Sequence, residues 1–261
     1  MKLRILSLFT ALALMGAALG GCMPAFITSN LQADDSSRVA VLEEEEPAPD
    51  PTPAPTPDPT PDPTPDPTPE PEQGEIQFGT WNGNDYSSDW TGIRFTLPDT
   101  WYPLTAEQMA QVLGAGTDMV AGSLNADPDA LTAQISEVDT YEFYLMRADG
   151  TASFCCDIVD PAAAGTPSLT AEEYLQQVAA MMQLMSGMTV TSEGPAAATF
   201  GPLSGQQLNL AITANDVNTA MVYFAAEHEG YLVVYLLSAS SEEGAAEVAG
   251  IADQIDANAM A

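Results

Sequence analysis

The chain has 261 residues, 46% of them hydrophobic, and sets 37 aspartates and glutamates against five lysines and arginines, a formal net charge of −32. A surface this acidic excludes nucleic-acid binding, which needs cationic groups to neutralise phosphates, and it is repelled by anionic lipid headgroups. Lys2 is the sole lysine.

The N-terminus, MKLRILSLFTALALMGAALGGC, places Lys2 and Arg4 before an apolar run from Ile5 to Leu19 and small residues that lead straight into Cys22. That is the layout of an export signal, because the run is too short to span a bilayer and ends in small residues. The cysteine directly after LGG resembles the lipobox of bacterial lipoproteins. The expectation is a signal peptide over residues 1–21 and a lipid on Cys22, holding the protein on the outer face of the cytoplasmic membrane; the alternative is an ordinary secreted protein cut nearby. More than one acyl chain is needed for stable anchoring. Cleavage before Cys22 removes Lys2 and Arg4, so three arginines face 37 acids and the net charge becomes −34. Without lysine there is no Schiff base, P-loop or Ser-Lys dyad.

Residues 22–74 read as a tether. A repeat of the type Asp-Pro-Thr-Pro follows LEEEE, and proline at alternate positions removes backbone donors and fixes φ, which favours polyproline II over a packed core. At ~3.1 Å per residue the stretch from Pro47 to Pro71 spans on the order of 75–80 Å. The length that remains, 75–261, suits one globular domain with its own core.

Along that domain, Phe78 to Tyr86 is strand-like, and Gly92–Leu97 alternates as a second strand before Pro98 stops it. Trp101 and Tyr102 follow as an aromatic pair. Thr105 opens TAEQ, a capping box, and Gly114 is the expected stop of a short helix. Thr117 to Val138 is read as a loop and then a helix after Asp127-Pro128. TYEFYLMRADGTASFCCDIVD is a hairpin turning at Asp-Gly. A second capping box, Thr170 to Glu173, starts a helix closed by Gly187, with Tyr174, Val178, Met181, Leu184, Met185 and Met188 on its inner face. Strands are expected at Met188–Ser192, Ala197–Phe200, Gln206–Thr213 and Thr219–Ala226. After a turn at EHEG, YLVVYLLSAS is apolar at nearly every position and so requires cover on both faces. A terminal helix follows, capped by Ser241.

Long antiparallel strands, interleaved helices and one doubly covered strand imply an α+β fold, a three-layer α/β/α sandwich around one mainly antiparallel sheet. The GIRFTLPDTW start, the SLTAEEYLQQ helix and the closing YFAAEHEGYLVVYLLSAS hairpin resemble the PsbP/Mog-type sandwich, especially that of tethered lipoproteins of clostridial-type Gram-positive bacteria. The resemblance covers roughly Tyr86 to Ile255. It implies an accessory, scaffold or partner-binding role, and brings no catalytic motif with it.

Each candidate for chemistry has a plainer reading. Cys155 and Cys156 point to opposite faces of a strand and cannot jointly grip one metal; they read as core thiols, the alternatives being a strained redox pair or an interchain link. His228 lies between Glu227 and Glu229, but side chains two apart do not close a zinc site and no second histidine exists. No Gly-x-Ser-x-Gly elbow accompanies it. Asn125, Asp127 and Asp129 alternate as calcium ligands would, yet Ala130 and Ser136 replace the glycine and glutamate that a calcium loop requires. Met182, Met185 and Met188 are spaced for copper(I), and equally for a helix core. No catalytic residue, metal site or cofactor is therefore assigned. Trp101, Tyr102 and His228 remain as contact candidates. The expected function is a non-enzymatic lipoprotein that meets a protein, peptide or wall polymer, the alternative being a solute- or metal-binding lipoprotein serving a transporter.

Overall fold

The computed structural model describes residues 74–124, 126–185 and 187–259. The signal segment, Cys22 and the tether up to residue 73 lie outside them, as do Asn125 and Ser186.

Two strands set the architecture. In β6 (Ala152–Val159) every residue is buried, and in β11 (Tyr231–Ala239) every residue but Tyr231. They pair antiparallel from Leu232 opposite Val159 to Ala239 opposite Ala152. Strands with no solvated side must lie mid-sheet with cover above and below. The sheet runs outward from them through β5 (Asp139–Arg147) to β4 (Trp101–Pro103) on one side. On the other it passes through β10 (Val217–His228) and β9 (Leu203–Ala214) to an edge shared by β7 (Met188–Ser192) and β8 (Ala196–Phe200). Every pairing is antiparallel.

The first face packs under three helices, α1 (Ala106–Leu124), α2 (Pro128–Val138) and α3 (Ala171–Leu184), with Val120, Ile135, Tyr174 and Met182 meeting Cys155, Leu208 and Val234 in one apolar cluster. The second face is covered by α4 (Glu242–Ala259), through Ile251 and Ile255. Beside that helix lies a small antiparallel sheet of β1 (Thr80–Asn82), β2 (Asp85–Ser87) and β3 (Arg94–Thr96). The α/β/α sandwich stands, with one outer layer part helix and part sheet.

Local chemistry accounts for the boundaries. Thr105 and Gln108 exchange both capping-box bonds, as do Thr170 and Glu173. Asp127 caps α2 ahead of Pro128, and the Ser241 hydroxyl accepts from the Gly244 amide. The β9–β10 and β10–β11 turns use positive φ at both central residues, Asn215 and Asp216 in one and Glu229 and Gly230 in the other, which matches the strand twist.

Several element boundaries differ from the sequence expectations or add to them. Phe78–Tyr86 is a hairpin bent at Gly83 and Asn84, since a positive φ at Gly83 permits a two-residue turn. Trp101 and Tyr102 belong to edge strand β4, because the Pro98 carbonyl takes the Trp101 amide and turns the chain onto β5. Gly114 does not stop α1. A helical glycine costs only about 1 kcal/mol, and burial of Val120 and Ala121 carries the helix on to Leu124. Leu184 is 69% exposed, because it lies six residues past Val178 and so on the far side of α3, while the Met185 cap ends the helix before Gly187 and turns inward, and Met188 belongs to β7 rather than to the helix face.

The sheet tolerates no side chain at Gly205 of β9, where a Cβ would stand 2.1 Å from the Ala225 carbonyl oxygen of β10. Backbone cannot yield as a flexible side chain does. Gly205→Ala is expected to destabilise the domain by about 3 kcal/mol, the upper part of the overpacking range, read as a fall in the urea midpoint.

Candidate functional site

The predicted contact residues are dispersed. Trp101 is buried, and its indole N–H donates to Glu247 of α4 at 2.6 Å. The Thr100 hydroxyl donates to the same carboxylate, and so does Arg147, directly across the ladder from Trp101. Arg147 also pairs with Asp149 and Glu243. Partial burial works to raise the pKa of Glu247, but the bonds from Arg147, Trp101 and Thr100 outweigh it and leave the carboxyl below its ordinary range. Trp101 therefore fastens β4 to α4. Tyr102 points the opposite way and is 37% exposed, across from Met146.

His228 sits at the other end of the sheet, half-buried at the β10–β11 tip. Its ring meets Trp90 edge-on at 4.7 Å, and the Trp90 indole donates to Glu229 at 2.8 Å. The Glu227 carboxylate accepts the Ala171 amide at 2.6 Å, tying the tip to the first turn of α3. The Glu-His-Glu triplet thus holds the hairpin against its neighbours.

The other candidates also resolve. Cys155 lies in the first core and Cys156 in the second. Burial, followed by the charges of Asp157 and Glu142 respectively, pushes both thiols well up, so neither supplies the thiolate that nucleophilic or metal chemistry requires. Met182 and Met185 are buried in the helix core. Among the described residues no three histidine, cysteine or carboxylate side chains converge as a metal site.

Two constellations escaped the sequence. The first is an aromatic corner on the second face. Trp81, 37% exposed, rests on Tyr86 at 4.9 Å and meets Phe95 and Phe143 edge-on at 5.8 and 6.5 Å. The series runs inward through Phe143 and Phe154 to Tyr235. Phe78 stands 55% exposed three residues before Trp81. A bulge in β5 between Tyr141 and Phe143 sets Glu142 behind this wall, where it accepts from the Gly79 amide, the Tyr86 hydroxyl and, at 3.4 Å, the Cys156 thiol. Burial and then the Glu142 charge push the Tyr86 hydroxyl far up, so it stays a donor at any physiological pH.

The second is an acidic cluster beneath α2 and α3. Tyr141 lies directly across from Asp157 in the β5–β6 ladder, and Asp139 is two residues from Tyr141. Asp157 is fully buried and Asp139 nearly so, and no oxygen of either carboxyl, nor the Tyr141 hydroxyl, makes a hydrogen bond of ordinary geometry, although the Ile158 amide lies close enough to Asp157 to act on it. Burial pushes Asp157 up to about 8, with the Ile158 amide offsetting a fraction of that; burial and then Asp157 push Asp139 upward. The sequence signal was an aspartate inside the apolar run SFCCDIV.

No family model matches the chain, and no curated protein does. Among solved structures the chain is similar to LpqN, involved in cell envelope biogenesis of Mycobacterium tuberculosis, at 14% identity over 62% of this chain and 79% of that one, TM-score 0.35. It is also similar to the cyanobacterial PsbP of Synechocystis sp. PCC 6803, at 12% identity over 70% of this chain and 92% of that one, TM-score 0.37. Identity at this level fixes no residue's role.

A carboxyl whose pKa is raised by folding contributes stability that is complete below its unfolded value, about 4, and is lost as pH rises through its folded value. In chelator-containing buffer the unfolding free energy read from urea melts is therefore expected to fall from pH 5 to pH 9, by at most about 1.4 kcal/mol per pH unit for each proton released on unfolding. Asp157→Asn should flatten that slope. Parallel slopes in the two proteins would remove Asp157 as its source.

Proposed function

We propose that the chain is a non-enzymatic lipoprotein, anchored through Cys22 outside the cytoplasmic membrane, whose domain is an accessory module meeting a protein, peptide or wall polymer. The observation that carries this reading is Trp81, a large aromatic left partly exposed on a rigid aromatic base, with Phe78 exposed three residues before it. Large aromatics anchor interfaces because they bury much area at little conformational cost, and tryptophan leads among binding hot spots. Here Tyr86, Phe95 and Phe143 fix the Trp81 ring before any partner arrives, so little ordering entropy remains to oppose binding. The buried, protonated thiols and the packed His228 favour a module over an enzyme. The depression lined by Thr191, Ser192, Asn209 and Ala211 is open at the sheet edge and does not enclose a solute.

Two measurements test the reading. Metabolic labelling with a fatty acid should mark the wild-type chain and fail on Cys22→Ser, which should also leave the membrane fraction. A photo-crosslinking side chain at position 81 of the full chain should capture a discrete partner in cells, whereas one at Leu184, the most exposed large apolar side chain on the other face, should not. Equal capture at both positions would sink the aromatic corner as the interface. Phe78→Ala with Trp81→Ala should abolish capture of that partner by a crosslinker at Glu75, while shifting the thermal midpoint by only a few degrees, roughly the effect of about 1 kcal/mol.

A further inference from the structure

We propose that Asp139, Asp157 and Tyr141 form an oxygen-donor site for a hard divalent cation of the calcium type, set where α2 passes into β5. Two carboxylates and a phenol are brought to one place by the β5–β6 register, and their oxygens are buried without a side-chain partner, only the Ile158 amide acting on Asp157. Charged oxygens so placed are costly unless a cation or a proton neutralises them. No side chain does. Among the described residues, Arg94 pairs with Asp89 near β3, Arg147 with Asp149, Glu243 and Glu247 at the far end of β5, and His228 packs on Trp90.

The hydroxyl is the telling atom. A phenol facing a carboxylate would ordinarily donate to it, which is the cheapest way to satisfy both. Tyr141 faces Asp157 across the ladder, and its hydroxyl bonds neither aspartate. The register sets the Tyr141 and Asp157 side chains beside one another with Asp139 diagonal to them, and one ion among them would satisfy all three groups at once. The donors are all oxygen, which selects calcium or magnesium over copper or zinc, and two carboxylates balance a charge of +2. Calcium suits the site better, since its coordination is irregular and the strand spacing, rather than an octahedron, fixes these oxygens.

The surroundings hold the donors in place. Val234 of β11 lies across from Asp157, and Cys155 shares its strand and face. Leu131, Ile135 and Val138 of α2 and Tyr174 of α3 belong to the same apolar cluster. Tyr174 and Cys155 are the other titratable groups that reach Tyr141, and burial keeps that thiol neutral. An ion here would pin the end of α2 to the two strands beneath it.

The full chain, stripped with chelator, is titrated with CaCl2 by calorimetry at pH 8 in ~150 mM NaCl, where salt screens diffuse binding to surface acids. One site per chain is expected in the wild type, weakened at least about tenfold in both Asp157→Asn and Asp139→Asn and less in Tyr141→Phe, the loss of one of several ligands being worth about 1.4 kcal/mol or more. Saturating calcium should raise the thermal midpoint of the wild type by several degrees and leave the two asparagine variants nearly unmoved, by mass action on the folded state. Circular dichroism checks that each variant is folded. Binding that survives unchanged in both asparagine variants would place calcium on the acidic surface instead. No binding to the wild type would mean that the pair is neutralised by protons alone. Either result overturns the proposal.

Discussion

The pairing of β6 with β11 leaves a strip of sheet with no side that faces water, and the rest of the domain is arranged to cover it. Buried apolar area stabilises at roughly 25 cal/mol per Å², so strands of this composition are stable only between two layers. Three helices supply one layer. α4 supplies only part of the other, and the hairpin and strand from Thr80 to Thr96 complete it with aromatic rings. The exposed aromatic corner is where that second cover ends: Trp81 is its outermost ring, half in the layer and half out.

A second constraint follows from composition. With so few cations, carboxylates that are needed structurally cannot rely on ion pairs, and they bind neutral donors instead. Glu142 takes an amide, a phenol and a thiol; Glu229 takes an indole; Glu227 and Asp256 take the amides of Ala171 and Gly201. Such bonds persist at ionic strengths that screen exposed ion pairs. Arg147 is the exception, and it is spent on the junction of β4, β5 and α4, where Glu247 gathers an indole, a hydroxyl and a guanidinium.

Much of the fold was legible because it depends on short-range chemistry. Both capping boxes, the Asp127-Pro128 helix start, the Asp-Gly hairpin and the apolar run of β11 are local signals, and each led to the right element. What was illegible depends on distant residues. Gly114 looked like a stop until the burial of Val120 and Ala121, on a core built from strands far along the chain, carried α1 past it. The small sheet was hidden because three-residue strands carry almost no periodicity. Of the contact candidates, Trp101 and His228 proved to be internal fasteners. A tryptophan's type does not reveal whether its N–H will meet water or a glutamate 146 residues away.

The two constellations that the sequence did not disclose share a cause, the bulge in β5. Strict alternation along that strand would place Tyr141 and Phe143 on one face and Glu142 on the other. The register slip lets Tyr141 face the first core beside Asp157 while Glu142 and Phe143 both face the second. One inserted residue therefore lets the phenol stay on the face of the buried acids while Phe143 turns to the aromatic wall beside Glu142, the carboxylate that locks Tyr86 beneath Trp81. Alternation read along a strand assigns the wrong face to every residue beyond a bulge, and no local pattern in DTYEFYLMR marks where the slip falls. Both sites depend on one irregularity at the centre of the domain, so any substitution that straightened β5 would disturb the buried acids and the exposed aromatics together.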